Sequence, residues 1–178
     1  MNIANKFTTL RIILIPFFVI SLLIFKTENY IPAAIFIISA ITDFIDGQLA
    51  RRKNLVTTFG KFMDPLADKM LSCSALIVLI QLDIIPAWSV VIVVLRELTI
   101  SGFRILAASN GVTLAASLWG KSKTMTQFIS IVLILVNIND LIGLPIDIYL
   151  YYISIVLTII SLVDYIYKNK NVLDLKNI

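Results

Sequence analysis

The sequence predicts an all-α integral membrane protein, a bundle of six transmembrane helices that forms a single domain over residues 1–178. Hydrophobic residues make up 59% of the chain and the mean hydropathy is +0.96, whereas soluble domains are roughly 45–50% apolar. Six apolar stretches approach the length of about 20 residues that a helix needs to cross a hydrocarbon core. Charged, Gly-containing or Pro-containing breaks separate these stretches and predict loops.

The first predicted helix follows a short basic segment, as a signal peptide does. Lys6 and Arg11 precede the apolar run that ends at Phe25, but no small-residue cleavage pattern follows this run. We therefore expect a retained first span. The six predicted helices lie at roughly 7–25, 31–51, 62–81, 86–108, 121–139 and 146–167.

Lys and Arg residues are distributed unevenly between the predicted loops. With six spans both termini lie on one side, and Lys26 is the only basic residue that then falls in a loop on the other side. Because cytoplasmic loops are enriched in Lys and Arg, the basic side is predicted to be cytoplasmic. The expected location is the cell membrane, multi-pass, with both termini and the active site facing the cytoplasm.

Composition excludes several kinds of chemistry. The chain has no histidine, which excludes a Ser-His-Asp triad, a phosphohistidine and a His-ligated zinc. Cys73 is the only cysteine, so no intrachain disulfide can form. A net charge of +4 is too small to predict nucleic-acid binding. Any catalysis must therefore use carboxylates and cations.

Four aspartates lie near the predicted cytoplasmic ends of the second and third helices. Asp43 and Asp46 are three residues apart at the end of the second helix, and Asp64 and Asp68 are four apart where the third begins. Such spacings place each pair on one helical face, and a short connection makes the two helices antiparallel neighbours. Four converging carboxylates predict a site for two divalent cations, Mg²⁺ or Mn²⁺. For Asp64 alone, which precedes a proline, helix capping is the alternative.

Small and basic residues accompany these aspartates. Gly47 and Ala50 leave room for a nucleotide near the backbone, and Arg51 offers a planar fork to a pyrophosphate. Gly60 is expected to allow a tight turn into the third helix. The alternatives are helix packing for Gly47 and a topology-determining charge for Arg51.

The whole pattern resembles the signature of the CDP-alcohol phosphatidyltransferases. Each fixed position is met by Asp43-Phe-Ile-Asp46-Gly47-Gln-Leu-Ala50-Arg51, eight further residues, and Gly60-Lys-Phe-Met-Asp64-Pro-Leu-Ala-Asp68. The resemblance implies a six-helix homodimer that binds CDP-diacylglycerol among membrane lipids. It also assigns residues: Asp43, Asp46, Asp64 and Asp68 as metal ligands, Asp68 also as general base, and Asn5, Thr8, Gly47, Ala50, Arg51, Thr57 and Gly60 at the CDP-lipid. For Asn5 and Thr8 the alternative is an amphipathic entry to the first helix.

Basic residues in the fourth and fifth helices predict the second substrate. Arg96, Arg104, Lys121 and Lys123 would suit an acceptor alcohol that carries a phosphate, because a neutral alcohol gives them no charge to neutralise. An ion pair with Glu97 is the alternative for Arg96, and anchoring at the membrane interface is the alternative for the lysines.

Three weaker segments resemble the branch of the family that uses glycerol 3-phosphate and forms phosphatidylglycerol phosphate and CMP. They begin at Asn5, Arg96 and Gly120. Inositol phosphate is the rival acceptor. An ion or solute transporter is the alternative from another class, since intramembrane charges also mark ion paths; it predicts polar residues through the full bilayer depth.

Overall fold

The computed structural model describes the backbone of residues 3–52, 58–109, 114–115 and 117–169. Side chains are described for residues 10, 12–42, 69–108, 114–115, 117–140 and 142–169. Within these ranges the chain is all-helical, which confirms the predicted fold class at that level.

Six long helices and one short helix follow one another along the part of the chain that the structure describes. They are α1 (Ile3–Phe25), α2 (Tyr30–Arg52), α3 (Thr58–Gln81), α4 (Ala87–Ser109), α5 (Leu118–Leu135), α6 (Ile138–Ile142) and α7 (Ile146–Asn169).

The predicted and observed helices differ mainly at three places. Helix α1 begins at Ile3, four residues before the predicted start at residue 7. Helix α3 begins at Thr58, four residues before the predicted start, so Gly60 lies in its first turn and not in a preceding loop. The predicted helix over 121–139 is interrupted because Asn137 adopts a left-handed conformation with φ 52°. The chain then forms the five-residue helix α6, which ends at Gly143 with φ 73°.

The chain divides into two compact units. The first comprises Met1–Ile85 and Ile131–Leu144, and the second comprises Pro86–Ser130 and Pro145–Ile178. In the first unit α1 packs against both α2 and α3. The rings of Phe18 and Phe36, which are almost fully buried, lie 5.4 Å apart between α1 and α2.

In the second unit α4 packs against α7. At one end of this pair the hydroxyl groups of Ser89 and Tyr151 share a hydrogen bond of 2.7 Å. Towards the other end the ring of Phe103 meets the ring of Tyr165 edge to face, with centroids 6.2 Å apart. These contacts set the register of α4 against α7.

Membrane-spanning character is clearest in α7. Among the described residues, Ile146–Asn169 is the one helix long and apolar enough to cross a membrane, with a hydropathy of 2.1. Shorter apolar helical segments lie at Ile12–Phe25, Tyr30–Thr42 and Lys69–Gln81. Many large apolar side chains on α7 are exposed, Ile153, Val156 and Val163 among them. The count of six spans stays a prediction.

Candidate functional site

The four aspartates of the predicted metal site all lie within described helical backbone. Asp43 and Asp46 belong to α2, and Asp64 and Asp68 belong to α3. Their side chains, like all those of residues 43–68, lie outside the described residues. The backbone therefore places the residues on helices, as the spacing predicts, without giving a carboxylate geometry.

Backbone positions put these aspartates at matched heights on their helices. Asp46 and Asp64 each lie six residues from the helix end next to the connecting segment 53–57, which is about 9 Å along a helix axis. Asp43 and Asp68 lie nine and ten residues from those ends, or about 14–15 Å. Helices α2 and α3 also contact each other and share α1 as a packing partner.

The capping alternative for Asp64 does not fit the observed helix. A capping residue precedes the first turn, but α3 begins at Thr58 and Asp64 is its seventh residue. Pro65 is thus also inside the helix, where it cannot donate a backbone hydrogen bond to the carbonyl of Lys61.

The remaining residues predicted to contact the CDP-lipid are only partly described. Gly47, Ala50 and Arg51 lie on α2 and Gly60 on α3. Asn5 and Thr8 lie on α1, and their side chains are outside the described set. Thr57 falls outside the described residues altogether.

The second unit holds a buried group of charges on α4 and α5. Arg96 donates from Nη1 to Oε1 of Glu97 at 2.7 Å. Lys123 donates from Nζ to the same oxygen at 2.8 Å. The side chains of Arg96, Glu97 and Lys123 are 8%, 15% and 3% exposed. We refer to these three residues as the α4–α5 charge cluster.

Arg96 makes a further contact with α7. Its Nη2 donates to Oγ of Ser161 at 2.8 Å, and Ser161 is fully buried. Its Nε is also buried but has no hydrogen-bond partner among the described residues. The Nε–H donor of the guanidinium is therefore not used by any described residue.

The predicted cationic set does not come together as a whole. Arg96 and Lys123 meet at Glu97, whereas Arg104 and Lys121 are exposed and stand outside the charge cluster. The ion pair of Arg96 with Glu97, which the sequence left open as an alternative, is present. The carboxylate of Glu97 also pairs with Lys123, so Arg96 shares it with a second cation.

Comparison with known proteins decides the family. A sequence profile of the CDP-alcohol phosphatidyltransferases matches residues 1–160, which is most of the chain. The chain belongs to the CDP-alcohol phosphatidyltransferase family. It is therefore an enzyme of a membrane-associated family that generally depends on divalent metal, and the signature over residues 43–68 is the family's own.

Several relatives match this CDP-alcohol phosphatidyltransferase over nearly its full length. A Bacillus subtilis protein named CDP-diacylglycerol--glycerol-3-phosphate 3-phosphatidyltransferase is 39% identical, with 99% of each chain covered. A Haemophilus influenzae protein of the same name is 37% identical over 93% of this chain and 91% of its own. A Mycobacterium tuberculosis protein named probable phosphatidylglycerophosphate synthase is 36% identical over 93% and 80%.

Members of this family generally depend on divalent metal, and the sequence predicts the signature aspartates as its ligands. Among the side chains that the structure describes, no group of three or more His, Cys, Asp or Glu residues is arranged to hold a metal ion. The aspartates of residues 43–68 lie outside that searched set. Two carboxylates on each of two contacting helices form an all-oxygen donor set that fits Mg²⁺ or Mn²⁺.

The sequence predicts Glu97 only as an alternative ion-pair partner of Arg96, and it predicts no role for Ser161. An acidic residue in the middle of an apolar helix is itself a signal of pairing. Ser161 carried no signal, because serine is common in transmembrane helices and its partner is 65 residues away.

Proposed function

We propose that this chain transfers the phosphatidyl group of CDP-diacylglycerol to glycerol 3-phosphate, giving phosphatidylglycerol phosphate and CMP. The carrying observation is the end-to-end similarity to proteins named for this reaction, with 99% of both chains covered at 39% identity in the Bacillus subtilis protein. The complete family signature over residues 43–68 supports the chemistry.

The signature residues are proposed to bind the donor. Asp43, Asp46, Asp64 and Asp68 would hold two divalent cations, because the short link between α2 and α3 and their matched heights favour convergence of the carboxylates. When bound, Mg²⁺ or Mn²⁺ would neutralise the pyrophosphate of the CDP-lipid. The nucleotide and pyrophosphate are assigned to residues that lack bulk or carry a polar or cationic group: Asn5, Thr8, Gly47, Ala50, Arg51, Thr57 and Gly60.

Asp68 is proposed as the general base. It would accept the proton of the acceptor's hydroxyl group, whose oxygen then attacks the lipid-linked phosphorus while the bond to CMP breaks. The direct route needs no covalent enzyme intermediate. The absence of histidine from the sequence supports it, since a phosphohistidine cannot form.

Binding of the acceptor's phosphate is assigned to Arg96 and Lys123. The charge cluster brings two buried cations to one carboxylate oxygen. The buried Nε of Arg96, which has no hydrogen-bond partner among the described residues, offers a phosphate oxygen a donor. Arg104 and Lys121, which are exposed, are proposed to attract the acceptor's phosphate at longer range.

A multi-pass topology with cytoplasmic termini is also proposed. On α7, the exposed Tyr149 and Tyr152 near one end and Tyr167 near the other are separated by about 22–27 Å along the axis. This separation is close to the hydrocarbon thickness of about 30 Å, and tyrosines favour both interfaces. Lys168, next to Tyr167, then marks the cytoplasmic end. Homodimerisation is proposed from the family alone.

Release of CMP tests the proposed function. Purified protein given CDP-diacylglycerol and Mg²⁺ is expected to release CMP when glycerol 3-phosphate is added. CMP release should stop when EDTA chelates the metal, and it should resume when Mg²⁺ or Mn²⁺ is restored. Inositol phosphate is the acceptor to compare. Release with inositol phosphate but none with glycerol 3-phosphate would reject the assigned acceptor, and an undiminished rate in EDTA would reject the metal site.

A further inference from the structure

Glu97 holds two cations from different helices on a single oxygen atom. Nη1 of Arg96 and Nζ of Lys123 both donate to its Oε1, at 2.7 and 2.8 Å. The two nitrogens therefore cannot lie further apart than about 5.5 Å. Without the carboxylate, two buried like charges at this distance would repel each other and separate.

Burial makes this arrangement rigid. Arg96 and Lys123 have long side chains with many rotamers, and ordering each of them costs up to about 2 kcal/mol. In the fold this ordering has already occurred, because both side chains are less than a tenth exposed and are bonded to Glu97. Ser161 fixes the guanidinium from a third helix. An incoming phosphate thus meets cations that are already in place.

Gly120 provides the space that the cluster needs. It lies in the first turn of α5, where its N–H donates to Oγ of Ser117 at 3.1 Å. A Cβ atom at this position would lie 3.0 Å from Nη2 of Arg96 and 3.5 Å from Oγ of Ser161. The first contact is tighter than ordinary Cβ packing. A side chain at position 120 would therefore push the guanidinium away by a few tenths of an ångström.

We propose that Glu97 is a positioning residue for the acceptor site, and that Gly120 supplies the clearance on which its action depends. Glu97 does not touch the substrate in this proposal. It fixes the spacing of Arg96 and Lys123 so that one phosphate group of the acceptor can be bound by both. This inference rests on the proposed function, and it adds a reason why the site selects a phosphorylated alcohol.

The test separates acceptor binding from donor binding in the full-length purified protein. For Glu97→Gln we expect the KM for glycerol 3-phosphate to rise about tenfold, the loss typical of one charge-assisted hydrogen bond. The KM for CDP-diacylglycerol should stay within about twofold. Gly120→Ala should likewise raise the KM for glycerol 3-phosphate and leave the KM for CDP-diacylglycerol within about twofold. Glu97→Asp, which keeps the charge, should recover part of the acceptor affinity.

Gly102 on α4 offers a matched control for Gly120. A Cβ atom there would meet nothing within 4 Å, so Gly102→Ala should leave both KM values unchanged. Unchanged acceptor KM in Glu97→Gln and Gly120→Ala, or an equal rise in both KM values, would overturn the proposal. If Glu97→Gln does not fold, Ser161→Ala, which removes the hydrogen bond that Arg96 donates to Oγ of Ser161, must raise the acceptor KM selectively or the proposal is wrong.

The wild-type assay distinguishes this inference from the proposed function. If the wild-type protein releases no CMP with any acceptor, the proposed function fails. If it is active with glycerol 3-phosphate while the variants keep the wild-type acceptor KM, only the roles of Glu97 and Gly120 fail.

Discussion

At the scale of single residues, most of the chemistry proposed for this enzyme depends on where charge is placed in an apolar chain. The signature aspartates lie at matched heights on α2 and α3, and the cations of α4 and α5 share the carboxylate of Glu97. The cations are grouped around a carboxylate, and the aspartates are proposed to be grouped around metal ions, because an isolated charge in a membrane domain is costly.

Asp68 is the residue whose loss should matter most for turnover. Asp68→Asn removes the proposed base and a proposed metal ligand, so we expect CMP release to fall at least about 100-fold. Binding of CDP-diacylglycerol, measured with the radiolabelled lipid, should remain detectable because three aspartates are left.

Asp83 provides the control for this substitution. It lies in the turn after α3 with φ 56°, a left-handed conformation that asparagine adopts as readily as aspartate. Asp83→Asn should therefore keep the wild-type rate. Near-normal turnover in Asp68→Asn would exclude Asp68 as the base.

At the scale of helices, sequence periodicity predicted where the long helices lie but not how they are interrupted or paired. Apolar residues continue through Asn137, so hydropathy alone extends the fifth helix to residue 139. The left-handed backbone of Asn137 ends it earlier, and hydropathy carries no information about that angle. The charge cluster was equally hidden, because the contact of Lys123 with Glu97 joins residues 26 positions apart.

The pairing of α4 with α7 depends in part on the hydrogen bond between Ser89 and Tyr151. Tyr151 is fully buried and its hydroxyl lies 2.7 Å from that of Ser89. Tyr151→Phe should lower the free energy of unfolding by about 0.5–1.5 kcal/mol, the usual net value of one hydrogen bond. Thermal unfolding in detergent would measure this loss.

Tyr149→Phe is the matched control, since Tyr149 is 66% exposed on the same helix. It should leave thermal stability unchanged. Equal stability of the two variants would show that the buried hydrogen bond does not stabilise the pair of helices.

At the scale of the whole molecule, composition and the signature predicted the fold class and the family, because both are properties of many residues together. The segregation of Lys and Arg predicted an orientation, which stays a prediction. The acceptor was harder to predict, since it depends on a few cations whose partners are distant in sequence. Two of the four predicted cations, Arg96 and Lys123, meet in the charge cluster.

The orientation can be tested by labelling single cysteines after Cys73→Ala. A membrane-impermeant maleimide should label Glu28→Cys and Asp140→Cys in intact cells, because both positions are predicted to face away from the cytoplasm. Lys168→Cys should react only after permeabilisation. Labelling of Lys168→Cys in intact cells would contradict the assigned orientation.

The identity of the lipid product tests the central claim most directly. The purified protein is placed in lipid vesicles that contain CDP-diacylglycerol. It is then given Mg²⁺ and an equimolar mixture of glycerol 3-phosphate, inositol phosphate, serine and glycerol. We expect mass spectrometry to show phosphatidylglycerol phosphate as the main lipid product, in a one-to-one ratio with CMP. A different phosphatidyl product, or CMP without any new phospholipid, would contradict the account.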